Sequence, residues 1–217
     1  MARLDALAQE HGIPLIIDNA YGMPFPNIIY SDVTLNWHEN IILCFSLSKI
    51  GLPGVRTGII VAAPEVVKAV SSLNAIVNLS PTRFGAAIAA PLLNDGRLKQ
   101  LADEVIQPFY RQQAQTAVSL LKRELGAYPL KIHKPEGAIF LWLWFENLPV
   151  SSQTLYEMLK AEGTLIIPGE HFFVGIDRQD YPHAHECIRM SIAQDAETLE
   201  KGIAAIGRVV RGLYDAA

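Results

Sequence analysis

The sequence predicts an α/β chain in which a mixed-sheet domain comes first, a long connecting helix follows, and a smaller α+β domain closes the fold. Three observations carry this. Two short apolar runs, Leu15-Ile16-Ile17 and Ile41-Ile42-Leu43-Cys44, each end on polar residues, as buried strands of a layered fold do. Only Ser46–Thr57, which has no helical spacing, separates the second run from a third, Gly58-Ile59-Ile60-Val61-Ala62. A crossover between parallel strands needs about a dozen residues or more, usually a helix, so the third strand is expected antiparallel to the second. After residue 126 the texture changes to short strands and short helices. The expected divisions are therefore a partial large domain at 1–95, a connecting long helix at 96–126 and a small α+β domain at 127–217.

Taken in order, residues 2–11 have helical spacing through Leu4, Leu7 and Ala8, and Gly12 ends the pattern as a C-cap. Pro14 opens the first strand, to Asp18. Asn19 to Asn40 is rich in Pro, Asn and aromatics, and Pro24 and Pro26 forbid a regular ladder, so it reads as a long functional loop. The second and third strands follow. Pro64 suits the first turn of a helix to about Asn78, Pro81 starts another to about Asn94, and a third runs from Arg97 to Leu125 with a kink expected at Pro108. Strands are expected at 131–133, 138–144, 164–167 and 187–192. Helices are expected at 151–162 and from about Ala196 to Leu213.

Half of the 217 residues are hydrophobic, enough to bury one large core or two smaller ones. With 18 basic and 22 acidic side chains the net charge is −4, and no basic stripe suits nucleic acid. No apolar stretch reaches membrane-spanning length, and Met-Ala-Arg-Leu-Asp lacks the apolar core of a signal peptide. Cys44 and Cys187 lie in apolar runs without CxxC spacing; buried free thiols fit a reducing cytoplasm. The expected partners are small molecules or another protein surface.

The chemistry concentrates at the strand ends. Lys49 follows the second strand in Phe45-Ser46-Leu47-Ser48-Lys49, and Asp18 ends the first. A lysine and an acid so placed suit an aldehyde cofactor with a basic ring nitrogen, which is pyridoxal phosphate: the lysine forms a Schiff base and the acid holds the ring nitrogen protonated. Read alone, Asp18 caps a strand end and Lys49 is a surface lysine. Tyr21 is a donor to the ring's phenolic oxygen or a loop anchor. Ser46 and Arg56, around Gly51-Leu52-Pro53-Gly54-Val55, can clamp a phosphate, although this is neither a GxxxxGK[ST] loop nor a GxGxxG turn. Arg189 stands in the apolar strand Cys187-Ile188-Arg189-Met190-Ser191, where an inward guanidinium needs an anion such as an amino-acid carboxylate and an outward one simply faces water.

Together, Asp18-x-x-Tyr21, Ser46-x-Ser48-Lys49, Gly51-Leu52-Pro53-Gly54-x-Arg56-x-Gly58 and Arg189-x-Ser191 resemble the class I/II aminotransferases of pyridoxal-phosphate fold type I. The likeness is closest to members that exchange an amino group between valine and pyruvate, through Ile17–Pro26, His133–Phe145 and Pro168–Phe173. The resemblance implies the following roles. Lys49 is the Schiff-base lysine and the proton-transfer base, Asp18 is the partner of the ring nitrogen, and Tyr21 is the phenolic-oxygen ligand. Ser46 and Arg56, and more weakly Ser48, are phosphate ligands; Arg189 clamps the substrate carboxylate, and Phe172 lines the substrate pocket or packs. It further implies amino-acid and 2-oxo-acid substrates, valine or alanine on the amino side, and a homodimer. A β-lyase on the same scaffold, or a non-catalytic remnant that binds pyridoxal phosphate, are the alternatives.

Two departures stand against the family pattern. Asn19 follows Asp18 where many relatives carry an acid, and the Lys49–Arg56 interval is one residue short. The resemblance also spans only the second half of the family's length, so the chain looks like a truncated enzyme, without the segments that supply backbone amides to the phosphate, an aromatic over the ring and an asparagine at the phenolic oxygen. The remaining conspicuous residues read plainly. His183-Ala184-His185 lacks a third ligand and reads as surface loop rather than metal site. Trp142 and Trp144 alternate as one packed face of a strand, in the core or at a domain interface.

Overall fold

The computed structural model describes residues 1–31, 33–80, 82–177 and 181–217. It divides the chain into two compact units, Met1–Phe109 and Tyr110–Ala217.

In the first unit, helix α1 (Ala2–Glu10) stops at His11 and Gly12 follows with φ 62°, so the glycine lies one position beyond the cap. Strands β1 (Leu15–Asp18) and β2 (Ile41–Ser46) pair in parallel from Leu15↔Ile41 to Asp18↔Cys44. Strand β3 (Gly58–Val61) is antiparallel to β2, from Leu43↔Val61 to Ser46↔Gly58, as the short connection requires. The sheet order is β1-β2-β3. Its carboxyl end, where β1 and β2 finish and β3 begins, is the end that matters below. The loop at 19–40 forms no strand and is tied down by side chains: Asn27 Nδ2 donates to Asp103 Oδ1 at 2.8 Å, and Gln107 Nε2 donates to the Asn27 carbonyl at 2.7 Å.

Helix α2 (Pro64–Val77) has Pro64 in its first turn and no buried residue. Its apolar side chains face outward: Ile76 is 75% exposed and Leu79, just beyond the helix, 85%. Helix α3 covers Phe84–Asn94; the expected start at Pro81 lies outside the described residues. The single helix expected over Arg97–Leu125 is interrupted. Helix α4 (Arg97–Leu101) passes through a π turn at Ala102–Ile106 into α5 (Gln107–Leu125), with Gln107 N–H donating to the Ala102 carbonyl. The break precedes Pro108 because the proline ring crowds the carbonyl of Glu104 and offers it no N–H, so the ladder is displaced one turn upstream. The core of this unit is small: Phe25, Leu47, Ile50, Ala89, Leu98 and Ala102.

The second unit is better filled. A four-stranded sheet runs β4-β5-β7-β6, antiparallel throughout, from β4 (Leu130–Ile132), β5 (Phe140–Phe145), β6 (Ile167–Pro168) and β7 (Cys187–Ser191). Strand β5 alternates: Leu141, Leu143 and Phe145 are buried, and Phe140, Trp142 and Trp144 are half-buried on the other face. The tryptophans therefore belong to an outer aromatic face and not to the core. Helix α6 (Ser152–Ala161) is capped by Ser151, whose hydroxyl accepts from Thr154 N–H, and α7 (Ala196–Asp215) by Asp195 accepting from Thr198 N–H. Each such cap is worth about 1 kcal/mol. Leu199, Ile203, Ile206 and Val210 form the apolar stripe of α7 against Leu121 and Leu125 of α5 and the inner face of the sheet. The strand expected at 164–167 is reduced to Ile167–Pro168, because Gly163 and Thr164 are spent closing α6, donating to the Lys160 and Leu159 carbonyls.

Candidate functional site

Six of the expected site residues collect at the carboxyl end of the first sheet. Asp18 ends β1; its Oδ1 accepts from Ala20 N–H at 3.1 Å and its carboxylate is exposed. Opposite it in the register stands Cys44, whose thiol is pushed up by burial and by the Asp18 charge. Ser46 ends β2, and its hydroxyl accepts from Ser48 N–H at 3.2 Å, leaving its own proton for a ligand.

Lys49 lies on a short 3₁₀ turn, Ser48–Ile50, and not in an open loop. Leu47 and Ile50 on either side are buried in the core, which turns Ser48 and Lys49 toward the strand ends. Gly51, at φ 97°, closes this turn in a conformation that side chains resist. Lys49 Nζ lies 5.7 Å from the centroid of the Tyr21 ring. Arg56 follows a second 3₁₀ turn, Pro53–Val55, at φ 46°, two residues before Gly58, so its guanidinium leaves the chain at the same sheet end. Among the described residues, Asp18, Lys49 and Arg56 have no ion pair with any protein side chain. One carboxylate and two cations without ionic partners, beside a hydroxyl and a phenol, are the donor set that a phosphorylated, zwitterionic ring compound needs.

Arg189 and Phe172 lie in the second unit and meet there: the guanidinium carbon is 4.9 Å from the Phe172 ring centroid and 4.1 Å from that of Phe140. Arg189 Nε is buried with no hydrogen-bond partner. A recess of about 290 Å³ opens beside it, with Pro135, Phe140 and Trp142 in its walls. A larger recess, of about 610 Å³, opens between α6 and α7, but the charged groups on its rim are already paired, Lys201 with Glu197 and Arg208 with Glu162.

The histidine pair is less plain than its sequence suggested. His183 packs edge-on against Trp144 at 4.6 Å and Phe173 at 5.6 Å, and His185 pairs with Glu170 at 3.3 Å. No group of three metal-ligating side chains occurs among the described residues. Cys187, beside His183, is fully buried, which raises its thiol to about 11. No helix among the described residues is long and apolar enough to cross a membrane.

Phe140 escaped the sequence reading, although the alternation that put Trp142 and Trp144 on one face includes it. Asn19 escaped as well: it is buried, its side chain donates to the Met23 carbonyl, and its N–H donates to the Cys44 carbonyl across the strand ends.

Comparison with known proteins places this geometry in context. Residues 2–206 match the family "Aminotransferase class I and II". The valine–pyruvate aminotransferase of Escherichia coli K12 is 47% identical over 203 residues, which are 94% of this chain and 48% of that protein. A crystal structure from Psychrobacter arcticum 273-4, carrying a provisional amino-acid aminotransferase assignment, superimposes on all of this chain and 50% of its own at 68% identity and TM-score 0.96. The valine–pyruvate aminotransferase of Salmonella typhimurium LT2 does so at 44% identity and TM-score 0.91, over all of this chain and 55% of its own. The chain spans about half the length of the relatives it matches.

Proposed function

Because the chain belongs to the class I and II aminotransferase family, we propose that it carries the lysine-bearing part of a pyridoxal-phosphate site that transfers an amino group between valine or alanine and a 2-oxo acid. The observation that carries this is the set of unpaired charges at one sheet end, with Lys49 Nζ 5.7 Å from the Tyr21 ring and Asp18 at the end of the adjacent strand. The residues fit the group: its charged positions find Asp18, Lys49 and Arg56, none of which is ion-paired among the described residues, and the Ser46 hydroxyl, which accepts from Ser48 N–H, keeps its own proton to donate.

Pyridoxal phosphate supplies an electron sink for the pair released when a substrate Cα–H bond breaks. The chain's own residues do the rest. Lys49 would hold the group covalently, and its Nζ, once free, would hold and move the proton at the substrate Cα. The Asp18 carboxylate keeps a proton on the ring nitrogen by a charge-assisted hydrogen bond. The Tyr21 hydroxyl donates to the phenolic oxygen. The Ser46 hydroxyl and the Arg56 fork bind phosphate, with Ser48 beside them. Arg189 receives the substrate carboxylate, and Phe172 walls the space beside it.

The division into 1–95, 96–126 and 127–217 is kept in this proposal as cofactor part, connector and substrate part. The exposed apolar side chains of α2 and of the segment that follows it support a homodimer, since Ile76, Leu79 and Phe84 need a cover. The two free thiols suit the cytoplasm. A second reading, cofactor binding without turnover, is favoured by the exposure of Asp18, which leaves its carboxylate in water. The test is spectroscopic. Added pyridoxal phosphate should give a yellow chain that L-valine bleaches and pyruvate restores, weakly for this chain alone and strongly once the remainder of a relative is supplied. Colour without bleaching under both conditions selects the second reading; no colour in either removes the cofactor.

A further inference from the structure

Resting on the proposal that Arg189 receives a carboxylate, we infer that Phe140 and Phe172 are positioning residues: they hold the Arg189 guanidinium between their rings so that its edge donors meet the carboxylate of a substrate with a short apolar side chain. Cation–π contact uses the faces of a guanidinium and leaves its in-plane N–H groups free. Arg189 shows both halves of this arrangement. Its carbon stands 4.1 Å and 4.9 Å from the two ring centroids, while Nε is buried and unpartnered. Among the described residues no carboxylate pairs with it. A buried donor left without a protein partner invites a ligand.

The rings are themselves fixed. Phe172 meets Trp142 edge-on, centroids 5.3 Å apart at 90°, and Trp142 is the direct cross-strand neighbour of Arg189. Gly169 begins the turn that carries Phe172; a Cβ there would sit 2.5 Å from the Cys187 carbonyl oxygen, so only glycine lets the turn close flush on β7. The guanidinium is thus gripped from β5 and from the turn before it is asked to bind, which is preorganisation. The recess beside it has Pro135, Phe140 and Trp142 for apolar walls and His133 among its polar lining, and Lys134 is paired with Glu136 at 2.6 Å. With Lys134 taken up by Glu136, Arg189 is the one guanidinium in a lining that is apolar on the Pro135, Phe140 and Trp142 side, which suits a monocarboxylate with an apolar tail better than a dicarboxylate.

The experiment titrates isovalerate, with succinate as the dicarboxylate control, into the 217-residue chain while the Arg189 Nε–H signal is followed by NMR. Isovalerate should shift that signal saturably and bind more tightly than succinate. Phe140→Leu or Phe172→Leu should weaken isovalerate about tenfold, ~1.4 kcal/mol, within the range of one cation–π contact. The same variants should lower the Arg189 Nε order parameter below its wild-type value. Phe140→Tyr and Phe172→Tyr keep the ring faces and should preserve both readouts, with backbone spectra of β5 and β7 unchanged. Leucine variants that match wild type in affinity and Arg189 order, or tyrosine variants that lose both, overturn the positioning role alone. Succinate binding as tightly as isovalerate overturns the selectivity. A wild-type Arg189 signal that ignores isovalerate, or Arg189→Lys binding as well as wild type, overturns the carboxylate assignment beneath it.

Discussion

Asp18 and Ser152 are two polar side chains with opposite consequences when changed. Asp18→Asn keeps the shape but removes the charge proposed to hold a proton on the cofactor nitrogen. In a turnover-competent assembly the Cα–H step should slow by roughly 10²–10³-fold, with a smaller loss of cofactor affinity; near-wild-type turnover would make Asp18 structural. Ser152 is fully buried and its hydroxyl has no partner, so it pays desolvation for nothing. Ser152→Ala should raise stability by about 1 kcal/mol in urea unfolding, and an unchanged or lower midpoint would show that the hydroxyl is satisfied. At this scale the positions of Asp18 at the end of a strand, Lys49 after one and Arg189 within one were legible from the neighbouring apolar runs. Phe140 and Asn19 were not, because their roles depend on which way a side chain faces and on a contact across strand ends, neither of which spacing records.

Helices α5 and α7 are held together partly by charge, and this gives the second unit a defined response to acid. Glu124 accepts from Arg211 Nη1 at 3.0 Å and from Arg123 Nε at 3.2 Å, and the Arg211 bond first, then the Arg123 bond, lower its carboxyl below the usual 4.5. A lowered folded-state value means stability that is present above about pH 4.5 and lost as pH falls through the lower folded value. Urea midpoints should therefore fall as pH drops below about 4.5, and Glu124→Gln should flatten that slope; an identical slope in the variant would remove Glu124 as a cause. Element identities followed from periodicity and connection length: the antiparallel β3 and the Pro64 start of α2 both lie in local sequence. The π turn ahead of Pro108 and the stunted β6 were less legible, since each reflects where backbone donors run out and not which residues prefer a helix or a strand.

Across the whole molecule the two units differ in how well they cover themselves. The second buries a large apolar cluster, whereas the first leaves α2 without a buried residue and Ile16 of β1 65% exposed. Such a surface favours association. The chain should elute larger than its 23.9 kDa, and Ile76→Lys with Phe84→Ser should move it toward monomer; a monodisperse wild-type monomer would show that the face needs no cover. The account as a whole rests on Lys49 as the point of covalent attachment. Borohydride reduction of the chain in the presence of pyridoxal phosphate, followed by peptide mass analysis, tests this directly. The label should fall on the peptide containing Lys49 and vanish from it in Lys49→Ala, whereas label on another lysine with Lys49 untouched would contradict the account.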